Sequence, residues 1–234
     1  MSQPVVALHP DVHRQVRLTE SRSFAPFTKQ HLFPVSVHEF VRASSEFPLV
    51  FVKDSDSGQF RAVALTGLVP GENLYATAAV SANYLPQAVL NYPLVLLANP
   101  QQPDQFSIGL NTAAAQVQLN EGEALFSEGV ETPYLMKRKQ QLLQSFEQLQ
   151  VTAAFIELLQ QHELLQPQGF QFDLKGQQHQ LNGIYIINEA RLNQLPTEVF
   201  ADLRQRGFLP AIYAQLTSLH QLNRLATLKI SQPR

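Results

Sequence analysis

The sequence predicts an α+β fold, with antiparallel hairpins in a strand-rich N-terminal half and helices concentrated in the C-terminal half. Two short apolar runs enclose a polar turn near residue 55, which is typical of a hairpin. A long helical periodicity covers residues 132–162. Further helical segments follow up to residue 225, interrupted by one more hairpin. Because strands and helices do not alternate regularly, this order disfavours a parallel βαβ array.

Length and composition predict a single domain over residues 1–234, with 1–130 as a strand-rich part and 131–234 as a helix-rich part. Hydrophobic residues make up 44% of the chain, enough to form a sizeable core. A net charge of −2 with only 17 Lys and Arg argues against a nucleic-acid-binding face. The absence of cysteine excludes disulfides, a thiolate nucleophile and cysteine-bound metals. We expect no cofactor.

The chain carries no pattern expected of membrane insertion or export. Its first residues, MSQPVVALHPDVHRQ, lack a basic region followed by an apolar core, so a signal peptide is not expected. The most apolar windows, 93–98 and 153–159, are much shorter than the ~20 residues that span a bilayer. The sequence therefore predicts a soluble protein without a transmembrane segment and with a cytoplasmic location.

The first half is predicted to consist mainly of strands. Residues 49–53 and 62–68 form a hairpin around Asp54-Ser55-Asp56-Ser57-Gly58, where Asp side chains and glycine favour a turn. We predict a third strand at 74–80 and a helix from Ser81 to Leu90. Strands follow at 94–98 and 105–110.

The second half is predicted to be mainly helical. Thr132 and Pro133 provide a start for the helix at 132–162, and Thr152 is a position at which it could break into two. A second hairpin turns at Lys175-Gly176-Gln177, and a strand follows at 183–187. Helices are expected at 188–195, 197–206 and 211–225.

Two interpretations fit Gly71-Glu72-Asn73, which follows the first hairpin. Gly71 can supply a positive φ for a turn, and Asn73 can cap or bend the backbone. Alternatively, Glu72 and Asn73 bind a ligand together with Tyr84 and Glu121. In that interpretation Glu72 and Glu121 form a carboxylate pair, which can serve acid–base chemistry. The pattern favours the structural role, because nothing in the sequence brings the two carboxylates together.

A metal-dependent enzyme is the alternative to a binding protein. His9, Asp11 and His13 place two imidazoles and a carboxylate within five residues, the ligand set of non-haem iron oxygenases. Pro10 and a plain turn capped by Asp11 explain the same residues without a metal. Neither a nucleophile elbow, a phosphate-binding glycine loop nor an H-E-x-x-H motif is present.

An ordered set of short motifs resembles the SapC-like family of bacterial proteins, from about His13 to Leu225. No single motif is specific, but the order is. The matching stretches are Glu46-Phe47-Pro48-Leu49-Val50-Phe51, Gly71-Glu72-Asn73-Leu74-Tyr75, Tyr84-Leu85-Pro86, Tyr92-Pro93-Leu94, Glu121-Gly122-Glu123-Ala124-Leu125-Phe126, 183–187 and Gly207-Phe208-Leu209 with Tyr213, Leu216, Ser218 and Leu219. The chain departs from the resembled pattern in having no tryptophan before Tyr84.

The resemblance implies which genes lie nearby but does not imply a reaction. Genes of such proteins often lie near cupin-like oxygenases, flavin-dependent halogenase-like proteins and TonB-dependent receptors. It implies no agreed catalytic residues. Together with the missing catalytic motifs, it leads us to expect a non-catalytic accessory or binding protein that acts with oxygenase-like or halogenase-like protein partners.

Overall fold

The structure is a computed structural model that describes residues 5–77, 80–99, 102–174 and 176–231. Contacts along the Cα trace divide the chain into two units, each made of two separate stretches. We call Met1–Pro26 with Gln87–Glu147 the first unit, and Phe27–Pro86 with Gln148–Arg234 the second unit.

The secondary structure confirms the α+β class. In chain order, the strands are β1 (Val5–Ala7), β2 (Arg17–Leu18), β3 (Leu32–Pro34), β4 (Leu49–Lys53), β5 (Phe60–Leu65), β6 (Leu94–Asn99), β7 (Gln102–Asn111), β8 (Val117–Gln118), β9 (Glu123–Ala124), β10 (Phe126–Ser127), β11 (Val130–Glu131), β12 (Leu165–Leu174) and β13 (Gln177–Ile187). The helices are α1 (Pro10–His13), α2 (Phe40–Ala43), α3 (Gln87–Asn91), α4 (Pro133–Gln161), α5 (Glu189–Leu192), α6 (Thr197–Gln205), α7 (Leu209–Ser218) and α8 (Gln221–Ser231).

The first unit contains small antiparallel sheets. One has the order β1-β7-β6, a second has the order β8-β2-β9, and β10 pairs with β11 as a short hairpin. Their apolar residues pack with α4 residues in one core. The buried members of this core are Leu18, Leu94, Ile108, Leu110, Leu125, Phe126, Leu135 and Leu142.

The second unit is built on a five-stranded sheet with the order β12-β13-β4-β5-β3, in which every pairing is antiparallel. The predicted turn between β4 and β5 is confirmed: Oδ1 of Asp54 accepts the backbone N–H groups of Asp56 (3.2 Å) and Ser57 (2.9 Å). The second predicted hairpin is also present, as β12 and β13, although Lys175 in its turn lies outside the described residues.

Helices cover the sheet of the second unit through aromatic contacts. Phe155 on α4 is fully buried, and its ring centroid lies 6.0 Å from Phe40, 6.4 Å from Phe51 and 5.0 Å from Phe208. Such clusters supply much of the hydrophobic stabilisation of a core.

Two side chains of α7 hydrogen-bond to strand backbone in this core. Gln215 accepts from the N–H of Ile187 and donates to the carbonyl of Leu49, and Ser218 accepts the N–H of Leu49 at 2.9 Å. Both side chains are fully buried. Ser218 is therefore a structural residue, in line with its position on a predicted helix.

Four expectations about elements were wrong. The helix expected from Ser81 to Leu90 is confined to α3, Gln87–Asn91. Helix α4 continues through Thr152, because the Thr152 hydroxyl donates to the carbonyl of Gln148 (2.7 Å) and accepts the N–H of Val37 (2.8 Å). Residues 74–77 form turns and bends where a strand was expected, and 78–79 lie outside the described residues. The helix predicted at 211–225 is two helices, α7 and α8.

The helices agree with the prediction that the chain has no transmembrane segment. Within the described ranges, every helix is too short or too polar to cross a membrane.

Candidate functional site

Glu72 of the Gly-Glu-Asn motif holds a turn in the second unit. Its Oε1 accepts the backbone N–H groups of Leu68 (2.9 Å) and Val69 (3.1 Å), and its Oε2 accepts a hydrogen bond from Lys229 on α8. The lysine and the carboxylate also form a salt bridge. Glu72 thus joins the loop after β5 to the C-terminal helix.

Asn73 is buried and uses both ends of its amide. Oδ1 accepts the N–H of Tyr75 at 3.0 Å, and Nδ2 donates to the carbonyl of Phe27 at 3.1 Å. Gly71 has a φ of +85°, a conformation that favours glycine. These contacts give the motif the geometry of a turn that starts the next segment.

Replacing Asn73 with alanine is expected to lower the free energy of unfolding by about 1–3 kcal/mol, because the N–H of Tyr75 and the carbonyl of Phe27 lose their partner. Urea titration of the purified variant measures the change. Asn120→Ala, at an exposed asparagine, serves as the control and is expected to stay close to the parent protein. Equal stability of the two variants would contradict the structural role of Asn73.

Tyr84 lies against a different carboxylate in the second unit. Its hydroxyl donates to Oε1 of Glu39 at 2.8 Å, and the guanidinium of Arg42 lies 5.7 Å from the centre of its ring. Glu39 is buried, and its Oε2 also accepts the N–H and the hydroxyl of Ser36. Burial, followed by the charge of Glu39, raises the pKa of Tyr84. Tyr84 therefore stays protonated and anchors the segment before α3.

The carboxylate of Glu46, also buried, binds Asn83, the residue before Tyr84. Glu46 accepts the backbone N–H of Asn83 at 3.2 Å and its side-chain amide at 2.7 Å, while Arg224 donates to Glu46 at 2.6 Å. The Arg224 guanidinium lies 5.5 Å from the ring centre of Tyr75, whose hydroxyl donates to the backbone carbonyl of Glu46. Glu46 is thus the centre of a polar network inside the second unit.

Stability is expected to fall as the pH rises from about 10 to about 12, because burial raises the pKa of Tyr75 to about 12. An exposed tyrosine in the unfolded chain loses its proton near pH 10. The stabilisation from keeping Tyr75 protonated is therefore complete below about pH 10 and is lost as the pH approaches the folded-state pKa. Chemical unfolding across this range measures the slope.

Tyr75→Phe should show a smaller decrease than the parent protein over the same pH range. Tyr213→Phe, at an exposed tyrosine, is the control and should keep the parent slope. An unchanged slope in Tyr75→Phe would contradict the assignment.

Glu121 belongs to the first unit, whereas Glu72, Asn73 and Tyr84 belong to the second. It is exposed and precedes Gly122, whose φ is +91° and whose carbonyl accepts from Nε of Arg17 at 2.8 Å. Within the second unit, Glu72 and Tyr84 bind different groups. Whether any of the four predicted ligand-binding residues binds a ligand stays a prediction.

His9 caps the short helix α1, and Asp11 and His13 lie within it. Nδ1 of His9 lies 3.5 Å from Oδ2 of Asp11 and accepts the N–H of Asp11, and Nδ1 of His13 accepts the N–H of His9. His13 is buried, while His9 and Asp11 are exposed. Within the described part of the chain, no group of three histidine or acidic side chains could hold a metal ion. The metal site stays a prediction without support from this geometry.

One cavity within the first unit has a volume of about 280 Å³. Four parts of the unit line it: the end of β2 with the residues after it, helix α3, the cis Tyr92-Pro93 pair, and the first turns of α4. Its lining includes Leu18, Thr19, Glu20, Ser21, Arg22, Leu90, Tyr92, Pro93, Tyr134, Lys137, Arg138 and Gln141. We call this cavity the Tyr92 pocket.

Positive charge dominates the Tyr92 pocket. Arg22, Lys137 and Arg138 line it together with a single carboxylate, Glu20. No salt bridge within the described part of the chain involves any of these four residues. Among the described residues, the three cations therefore form no ion pair, and Glu20 balances one of their three charges at most.

Arg138 is the most constrained of the three. Its Nη2 donates to the carbonyls of Leu90 and Asn91, both at 2.9 Å, at the C-terminal end of α3, where a cation is favourable. Its Nε is buried and has no hydrogen-bond partner in the described part of the chain.

Two tyrosines complete the wall of the Tyr92 pocket. Burial raises the pKa of Tyr92, whose hydroxyl accepts from the amide of Asn111 at 3.2 Å. Burial also raises the pKa of Tyr134, against the charge of Arg138 and with the charges of Glu20 and Glu123. Both phenols therefore stay neutral and offer a polar edge next to the cations.

The Tyr92 pocket was not predicted from the sequence, although Tyr92-Pro93-Leu94 is one of its motifs. Its residues come from three stretches, 18–22, 87–93 and 134–141, which only the fold brings together. The useful signal was two adjacent cations, Lys137 and Arg138, in the first turns of a long helix with no acidic residue in its first turn.

Comparison with protein families matches residues 8–225 to the SapC family model. The chain belongs to the SapC family. Comparison with curated proteins and with solved structures gives no match.

Proposed function

We propose that this protein is a non-catalytic binding protein and that the Tyr92 pocket holds its ligand. The observation that supports the proposal is a concave cavity in which neutral phenols converge with three cations that form no ion pair among the described residues. Small-molecule sites commonly combine an apolar wall with a few convergent polar groups.

The chemistry of the lining favours binding over catalysis. General acid–base catalysis needs a group whose pKa lies near the working pH. The tyrosines of the pocket have raised pKa values and do not act as bases near neutrality. The hydroxyls of Thr19 and Ser21 have no histidine beside them among the described residues of the lining, so no activated nucleophile supports a covalent step.

A ligand screen with a product check tests this function. Ligand-detected NMR with a mixed library of small molecules on the full chain should find compounds that bind and are recovered unchanged by mass spectrometry. Gln141→Trp, which fills the pocket, should abolish their binding. Gln144→Trp, three residues along the same helix and exposed, is the matched control and should bind normally. Conversion of a bound compound by the pure protein would overturn the non-catalytic role.

We further propose that the protein acts as an accessory to oxygenase-like or halogenase-like partners. Its membership of the SapC family supports this, because the sequence resemblance implies such gene company. Tagged protein should recover a cupin-like oxygenase or a flavin-dependent halogenase-like protein from native lysate. Repeated recovery of neither class, with the tagged protein folded, would contradict the partner assignment.

A further inference from the structure

We propose that the Tyr92 pocket takes a compact organic anion, whose acidic group is held by Arg22, Lys137 and Arg138 and whose carbon skeleton rests on the apolar wall. The inference rests on the proposed function, since it names the class of ligand for the same pocket. It concerns only residues of the first unit.

The charge distribution selects an anion. Three cations and one carboxylate line a cavity of about 280 Å³, which leaves a local positive excess in a chain whose net charge is −2. Within the described residues these cations lack the ion pairs that Lys139 and Arg206, for example, form with Glu131 and Asp202. A concave site lined by one sign of charge concentrates ligands of the opposite sign.

The geometry of Arg138 selects an acidic oxygen. Nη2 is held by the two carbonyls at the end of α3, so the guanidinium is fixed in orientation. An N–H of a fixed guanidinium donates best to a carboxylate or phosphate oxygen, and such charge-assisted bonds are about twice as strong as neutral ones.

The remaining wall selects an organic ligand over a bare inorganic ion. Leu90 and the rings of Tyr92 and Tyr134, all half-buried, line the same cavity and offer apolar contact that a phosphate or sulfate ion cannot use. The volume equals that of roughly nine water molecules in the liquid, which fits a ligand about the size of one substituted ring. The ligand class is therefore an acid with a small apolar body.

Calorimetry on the full chain with three probes tests the inference. Benzoate combines a carboxylate with an apolar ring, benzamide keeps the shape without the charge, and inorganic phosphate keeps a charge without the ring. We expect benzoate to bind, with benzamide and phosphate each weaker by roughly tenfold or more, and benzoate affinity to fall with added salt.

Charge-removing variants locate the binding. Arg22 and Lys137 are exposed and form no hydrogen bond in the described part of the chain, so Arg22→Gln combined with Lys137→Gln should leave the fold intact. Thermal unfolding checks this. The double variant should bind benzoate roughly tenfold more weakly. Arg14→Gln removes an exposed arginine of the same unit outside the pocket and should bind benzoate like the parent.

The outcomes separate this inference from the proposed function. Equal binding of benzamide and benzoate would overturn the anion class while the pocket remains a binding site. Equal binding of phosphate and benzoate would overturn the organic class. Failure of benzoate to bind, when the library screen finds other pocket ligands, would overturn only this inference. Failure of every compound in that screen would overturn both.

Discussion

Replacing Glu46 with alanine is expected to lower the free energy of unfolding by about 1.5–3 kcal/mol, because it removes the hydrogen bonds that a buried carboxylate accepts from Arg224 and Asn83. Glu46 is only 3% exposed. It holds Arg224 at 2.6 Å and both donors of Asn83, so the substitution removes three hydrogen bonds at once. Urea unfolding followed by circular dichroism measures the effect.

Glu163→Ala is the matched control for Glu46→Ala. Glu163 also pairs with an arginine, Arg191, at 3.2 Å, but its side chain is 79% exposed. Exposed ion pairs typically contribute about 0.2–1 kcal/mol. If both variants lowered the free energy of unfolding by the same small amount, the Glu46 network would not stabilise the second unit as described.

Replacing Gly122 with alanine is expected to cost about 2–6 kcal/mol of stability and to abolish ligand binding in the Tyr92 pocket. At a φ of +91° any side chain is strained, and the added Cβ would overlap the carbonyl of Leu18 and lie 2.7 Å from the N of Thr19. Because Leu18 and Thr19 line the pocket, relief of this clash would move its wall. Thermal unfolding and a benzoate titration measure the two effects.

Gly129→Ala separates backbone strain from the clash. Gly129 has a φ of +80°, but a Cβ there would meet no atom within 4 Å. This variant should therefore lose about 1–2 kcal/mol and keep a normal pocket. Normal ligand binding by a folded Gly122→Ala protein would show that its close approach to Leu18 does not shape the pocket.

Local signals in the sequence predicted the elements well where the chain's own residues decide the structure. Asp54 hydrogen-bonds to its own turn, so the first hairpin could be read from the residues themselves. Thr152 is the opposite case. The length of the helical pattern favoured a break there, but its hydroxyl accepts the N–H of Val37, more than a hundred residues away, and the helix continues.

The candidate site shows the same division. The turn at Gly71-Glu72-Asn73 followed from glycine and asparagine chemistry, although its ion pair with Lys229 lies 157 residues away in sequence and could not be predicted. The Tyr92 pocket could not be predicted either. Its three cations form one positive site only because the fold places residue 22 beside residues 137 and 138, where they have no ion pair among the described residues.

The division of each unit between two stretches also fixes an order of completion during synthesis. The second unit's first stretch, 27–86, is inserted between the two stretches of the first unit. The emerging chain therefore carries β3, β4 and β5 before the first unit can close, while β13, the neighbour of β4 in the sheet, comes from residues 177–187. Once residue 147 has left the ribosome, the first unit and its pocket have all their residues. Phe155 and Phe208, which cover the apolar face around Phe40 and Phe51, are synthesised later. Until they emerge, that face is accessible to other chains and to chaperones.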